Sequence, residues 1–327
     1  MSFPFKKLME NKISRVVLFI TLLLFFLLLP TFLNSYLLHV TIIILLYVYL
    51  GSCWDILGGY CGQTSFGHAS FLGIGAYTST LLLLKFNLSP WFGMIIGGII
   101  GMFCGLFIGF LCFRYRIKES YFALVMLVFA EVIRHLFLNW KFVGGASGLL
   151  IPLKENSLYY FQFDNKLPYY YIILLMSLFI LLLNNRLINS KLGDFFVAIR
   201  ENEETAESVG INATKYKLVG IALSSLFTAV GGTFYAQYLS YIDPDLTFGV
   251  GLSIEILLRP LLGGSGTLFG PSLGAFILGP LSELTRSLMH GYSGVHLMIY
   301  GFLIIAVILF FPGGISSLIK NIMKRLR

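Results

Sequence analysis

The sequence predicts an all-α polytopic membrane protein with about ten transmembrane helices, some of them short or broken. Three observations carry that class. Apolar residues make up 57% of the 327 and charged residues only 12%, with a mean hydropathy of +0.85. A soluble domain averages about 25% charged residues. Long apolar runs recur along the chain, and a helical span needs roughly 20 such residues. The runs also lack the alternation that barrel strands require.

Candidate spans lie near 16–29, 36–52, 66–84, 91–113, 121–138, 169–185, 216–238, 250–262, 269–289 and 295–311. The first follows a basic start and ends at Pro30. The residues after it, Thr31-Phe32-Leu33-Asn34, make a poor cleavage site, so a retained span is expected rather than a signal peptide. A glycine cluster, GGYCGQTSFGHASFLGIGAY (58–77), opens the third span. In the fourth, Gly93, Gly97, Gly101 and Gly105 recur every four residues, which lets helices pack closely in lipid. The fifth carries Glu131 one turn from Arg134, and the ninth Glu283 beside Arg286. Between the fifth and sixth lies an outer loop, 139–168, rich in aromatics (Trp140, Tyr159, Tyr160, Phe161, Phe163) suited to interfacial anchoring. It is too small for a substrate-binding domain. The eighth span is short and contains Glu255, Arg259 and Pro260, as broken helices around a central path do. A second glycine cluster, GGSGTLFGPSLG (263–274), precedes the ninth and echoes the first, which suggests a distant internal duplication.

The net charge of +8 is topological. With ten spans both termini share one side, and sixteen of the 23 Lys and Arg fall in the segments on that side. This bias places the termini and the 189–215 loop in the cytoplasm. Nucleic acid is therefore not an expected partner; membrane lipid is. Cys53, Cys61, Cys104 and Cys112 show no CxxC spacing and read as buried thiols. The histidines show no metal-ligand spacing either, so no metal site is expected.

The 189–215 loop, NSKLGDFFVAIRENEETAESVGINATK, is a polar island between membrane-grade segments. Asp194 is placed to cap a first short helix through Arg200. Asn202 is placed to cap a second, with Glu203 and Glu204 in its first turn. Gly210 sits where a left-handed residue ends a helix, and Ile211 is placed to fold back on Ala206. Ala206 and Val209 are expected on one face, shaped for another protein's groove. A plain solvated loop is the competing reading.

Within the spans, Gln63, Ser65, His68, Glu255 and Arg259 are the candidates for a translocation path. Two ordinary alternatives stand beside that reading: His68 as a hydrogen-bonded packing residue, and Glu255–Arg259 as a self-neutralising pair. Intramembrane charges cost about 2.5–3.5 kcal/mol each on insertion scales, so they are expected to face protein or water. No catalytic set is visible, and the chain lacks the GxxxxGK[ST] loop, so it carries no P-loop for ATP.

Four segments together carry a resemblance: GQTSFGHASFLGIGAYTSTLL (62–82), AEVIRHLFLNWKFVGGASGL (130–149), AIRENEETAESVGINATKYKL (198–218) and GGSGTLFGPSLGA (263–275). The chain resembles the LivM-type permease subunit of branched-chain amino acid ABC importers. That resemblance implies one transmembrane permease domain over 1–327, in a bacterial plasma (inner) membrane. The island becomes a coupling segment of EAAxxxG type, here Glu204-Thr205-Ala206 followed by Gly210, with threonine replacing the first alanine. ATPase coupling then falls to Arg200, Glu203, Glu204, Ala206 and Gly210, with Arg200 expected to pair with an acidic residue of the partner. Also implied are a second, LivH-type permease subunit, two ATPase subunits that use ATP and Mg, and an extracytoplasmic solute-binding protein. The chain itself is expected to be no enzyme and to bind no cofactor. The implied solutes are leucine, isoleucine and valine. Arg259-Pro260 departs from the plain apolar residues usual there, which keeps urea, short amides or other small solutes as an alternative. A self-sufficient secondary transporter is the second.

Overall fold

The computed structural model describes residues 21, 24–154, 156–288, 301–302, 305 and 314–316. The tenth candidate span is almost wholly outside these residues, as are half of the first and the Arg286 side chain. Seven described helices are long and apolar enough to cross a membrane.

Helix α1 (Ser35–Asp55) starts where the Asn34 side chain accepts a hydrogen bond from the Leu37 N–H at 2.8 Å. It runs on into a π turn, Ile56–Tyr60. Gly62 (φ 70°) then takes the left-handed conformation, and the Gln63 N–H reaches back to the Leu57 carbonyl at 3.0 Å. The pattern satisfies end carbonyls that a helix leaves open. α2 (His68–Phe86) follows, then α3 (Pro90–Arg114), which has Ser89 as its cap and proline at its first position. After α4 (Glu119–Asn139) the 140–165 segment folds back over the end of the bundle. Its strand β1 (Leu149–Leu150) pairs antiparallel with β2 (Tyr241–Ile242), and Phe161 is fully buried with its ring stacked on Trp91 at 4.6 Å. Trp140 is half exposed, whereas Phe161, expected beside it at the interface, is core.

α5 (Lys166–Ile188) leads into the island, built of α6 (Lys191–Glu201) and α7 (Glu203–Ser208). α8 (Ala213–Leu239) returns through the bundle. After the short α9 (Pro244–Phe248) comes an interruption at Gly249, whose extended backbone separates it from the eighth span itself, α10 (Val250–Gly263), which runs as one helix with Pro260 inside it. α11 (Gly270–Leu288) completes the described bundle, although it is not among the seven helices that qualify as spans.

Small residues decide how the helices meet. α8 packs on both α2 and α3. A Cβ on Gly97 would lie 3.1 Å from the Gly75 Cα, and one on Gly101 only 2.5 Å from the Ala229 Cβ. The four-residue glycine spacing of α3 is therefore a packing stripe. A second layer joins α1, α10 and α11, where Gly51 of α1 sits beneath Pro260. The two glycine clusters meet at the end of the bundle that carries the island: the Gly266 N–H donates to the Asp55 carboxylate at 2.9 Å.

Candidate functional site

The island is ordered by its own sequence, with one correction to the capping pattern. Ser190, not Asp194, caps α6: its hydroxyl accepts from the Gly193 N–H at 3.5 Å, and Asp194 lies in the first turn. Asp194 there faces the positive end of the helix dipole, which suits an acid without making it the cap. α7 follows the expected chemistry closely. Asn202 accepts from the Thr205 N–H at 2.8 Å. At the other end Gly210 has φ 90°, its N–H bonds the Glu207 carbonyl at 3.0 Å, and the Ile211 N–H bonds the Ala206 carbonyl at 3.1 Å. This pair of bonds is the Schellman closure, and Ile211 packs against the small cluster of Ile199, Ala206 and Ala213.

The faces differ from the expectation. Ala206 is only 3% exposed, turned inward against Ile199 and Ala213, whereas Val209 is 72% exposed. The two do not share an open face. Glu204, Thr205, Ser208 and Val209 form the outward side. Glu203 is held by Lys217 at 2.5 Å, and that lysine is nearly buried at the start of α8. Glu207 reaches Arg116 at 3.3 Å. Arg200 also points inward: its Nη1 donates to the Gly59 carbonyl at 2.9 Å and its Nη2 to Glu201 at 3.0 Å. Its guanidinium is thus tied to the bundle while the side chain keeps about a third of its surface open. Among the expected coupling residues, Arg200, Glu204 and Gly210 are exposed, Glu203 is intermediate and Ala206 is buried.

The expected path residues are interior. His68 is fully buried, with Nδ1 3.0 Å from the Ser65 hydroxyl and Nε2 2.7 Å from that of Ser224. Ser224 donates onward to the Cys53 carbonyl at 2.8 Å, so it accepts from Nε2, which therefore carries the proton. The N–H groups at the start of α2 are engaged within the chain: that of Gly67 by the Ser65 hydroxyl, and that of Ala69 by the Ser253 hydroxyl at 3.0 Å. Gln63 donates to the Gly62 carbonyl and is 5% exposed. These residues knit α1, α2, α8 and α10 together and leave His68 in its packing role.

Glu255 and Arg259 pair at 3.4 Å on one face of α10, and the guanidinium lies 3.2 Å from the centre of the Tyr47 ring. The Tyr47 hydroxyl donates to the same carboxylate. Arg259 is 2% exposed, so this group is a self-neutralised element of the core. Stacking on an aromatic face suits the weakly hydrated guanidinium.

A different ionic group, seen in the sequence only as an i,i+3 pair, faces outward. On α4, Arg134 binds Glu131 at 2.7 Å and Asp245 of α9 at 2.5 Å, and His135 is exposed beside them. A shallow groove lined by Leu127, Val128, Val132 and Leu136 runs along the same face. Asp245 lies over a hundred residues downstream, so no local pattern linked it to Arg134. Among the described residues no group of three or more His, Cys, Asp or Glu is placed to hold a metal ion.

A family model described as branched-chain amino acid transport system / permease component matches residues 36–308. The chain is 25% identical over 303 residues to the high-affinity branched-chain amino acid transport system permease protein LivM of Salmonella typhimurium, covering 86% of this chain and 70% of that one. It is 24% identical over 288 residues to the probable LivM permease protein of Methanocaldococcus jannaschii, covering 83% and 78% respectively. With the probable LivH permease protein of the same organism it shares 25% identity over 275 residues, covering 80% and 85%. No solved structure matches.

Proposed function

The chain belongs to the family of branched-chain amino acid transport permease components, and from that premise we propose how it works. It is the transmembrane subunit of an ATP-driven importer for leucine, isoleucine and valine, set in a bacterial plasma membrane with both termini in the cytoplasm. Two ATPase subunits, using ATP and Mg, dock on the 189–215 island; a second permease subunit completes the pore; an extracytoplasmic binding protein delivers the solute.

The observation that carries this reading is the island itself. A loop that merely joined two spans would need neither a capped helix nor a Schellman closure, nor three side-chain ties to the bundle. Rigid attachment is what a segment pushed by another protein requires. The second permease is favoured by α4, whose outward face carries an ionic group that hydrocarbon would penalise.

The test is the assembled complex in vesicles, with ATP hydrolysis followed as single amino acids are added with the binding protein. Leucine, isoleucine and valine should each stimulate hydrolysis and accumulate inside. Stimulation by urea or a short amide instead would move the substrate to that class. Uptake that survives ATP depletion but falls with the proton gradient would make the chain a secondary transporter.

A further inference from the structure

We propose that Arg200 and Asp55 form a positioning joint that carries movement of the island into both glycine loops at once; the inference rests on reading the island as the ATPase contact. Four groups from three stretches of chain meet there. Arg200, in the last turn of α6, donates from Nη1 to the Gly59 carbonyl at 2.9 Å. That carbonyl belongs to the π turn closing α1, where a helix leaves its acceptors open and a cation is favoured. Asp55, fully buried in the last turn of α1, accepts from the Gly266 N–H at 2.9 Å. Gly266 lies in the second glycine loop, between α10 and α11.

The contacts leave no slack. A Cβ on Gly62 would sit 2.6 Å from the Arg200 Cγ and 3.1 Å from its Cβ. One on Gly266, whose φ is 72°, would sit 2.5 Å from the Arg200 Nη1 and 2.8 Å from the Gly59 oxygen. Glycine at both places lets the guanidinium lie between the two loops. Its charge also offsets the Asp55 carboxylate, which a buried site otherwise penalises. With backbone rather than flexible side chains on the receiving side, a shift of α6 must either drag both loops or break charge-assisted hydrogen bonds. Those loops open α2 and α11, so α6 is linked to the starts of helices in both layers of the bundle. Arg200 is thereby a positioning residue: it acts through the loops and touches no solute.

The experiment uses the complete complex in vesicles and measures solute imported per ATP hydrolysed, together with ATPase subunits retained on purification. For Arg200→Ala the ATPases should stay bound and hydrolysis should continue. The solute imported per ATP should fall about tenfold or more, as expected when a charged hydrogen bond is lost from a coupled equilibrium. Arg200→Lys, which reaches one carbonyl but lacks the planar fork, should give an intermediate ratio. Asp55→Asn keeps an acceptor for the Gly266 N–H and should lose less than Asp55→Ala. A wild-type ratio in Arg200→Ala overturns the joint. So does loss of the ATPase subunits, which would make Arg200 a direct contact. If Arg200→Ala fails to accumulate in the membrane, Arg200→Lys decides, and an undiminished ratio there sinks the proposal. The wild-type complex separates the two readings. If it imports no branched-chain amino acid, the function assignment has failed; if it couples normally and Arg200→Ala does too, only the joint has.

Discussion

At the scale of single residues, burial and partners decide what each substitution in the island means. Ala206 is enclosed by Ile199 and Ala213, so Ala206→Trp has no room and should push α7 off the bundle. Overpacking of this kind costs about 1–3 kcal/mol. Transport should be lost together with local order, seen as faster proteolysis within 189–215. Val209→Ala should do the opposite, leaving the fold intact while weakening ATPase retention, because Val209 faces outward. If both variants behave alike, the outward face has been misassigned. Glu203 is a different case, since its partner Lys217 is only 4% exposed while Glu203 itself is 43% exposed. Glu203→Ala strands a nearly buried ammonium and should destabilise the detergent-solubilised chain by about 1–3 kcal/mol. Adding Lys217→Met should recover most of that, since removing both charges leaves no orphan. A double variant no more stable than the single one would count against the pair as the cause.

At the scale of elements, the glycine stripe of α3 makes a prediction of its own. Gly101 faces the Ala229 methyl so closely that a second methyl does not fit. Gly101→Ala should therefore cost about 1–3 kcal/mol. The exchanged pair Gly101→Ala with Ala229→Gly should restore a good part of it in a thermal unfolding measurement, because the methyl has only changed sides. This stripe was legible in the sequence because a four-residue period is a local property of one helix. The same holds for the α7 cap and for the Gly210 turn. The positions of Ala206 and Arg200 were not legible. Both depend on which way α6 and α7 roll against α1 and α8, which long-range contacts settle. The surroundings of the path candidates were hidden for a related reason. Gln63, Ser65 and His68 look like a polar site in sequence, but Ser224, which meets His68, and Ser253, which meets the neighbouring Ala69 N–H, arrive from helices over 150 residues away. Polar residues inside a membrane bundle serve as interhelical glue as readily as they line a path.

At the scale of the whole molecule, the outward faces of the spans are not equivalent. α3 exposes Phe92, Ile99, Phe103 and Phe107 with no charge among them, which suits contact with lipid tails. α4 exposes Leu124, Val128, Val132 and Leu136 at four-residue intervals, but Glu131, Arg134 and His135 lie beside that stripe. A charge near the centre of a span costs about 2.5–3.5 kcal/mol on insertion scales when lipid surrounds it. The α4 stripe is thus the face on which protein cover is worth most, and a second permease subunit is the neighbour the family supplies. Arg134 also holds Asp245 at the start of the broken α9–α10 span, so contact on α4 bears directly on the one span interrupted at Gly249. Val132→Trp should accordingly lower co-purification of the second permease while this chain still inserts in the membrane. Phe103→Trp on α3 serves as the matched control and should leave the pairing unchanged. Equal retention in both variants would place the partner elsewhere. Loss in the α3 variant alone would assign the lipid-facing and protein-facing sides the other way round.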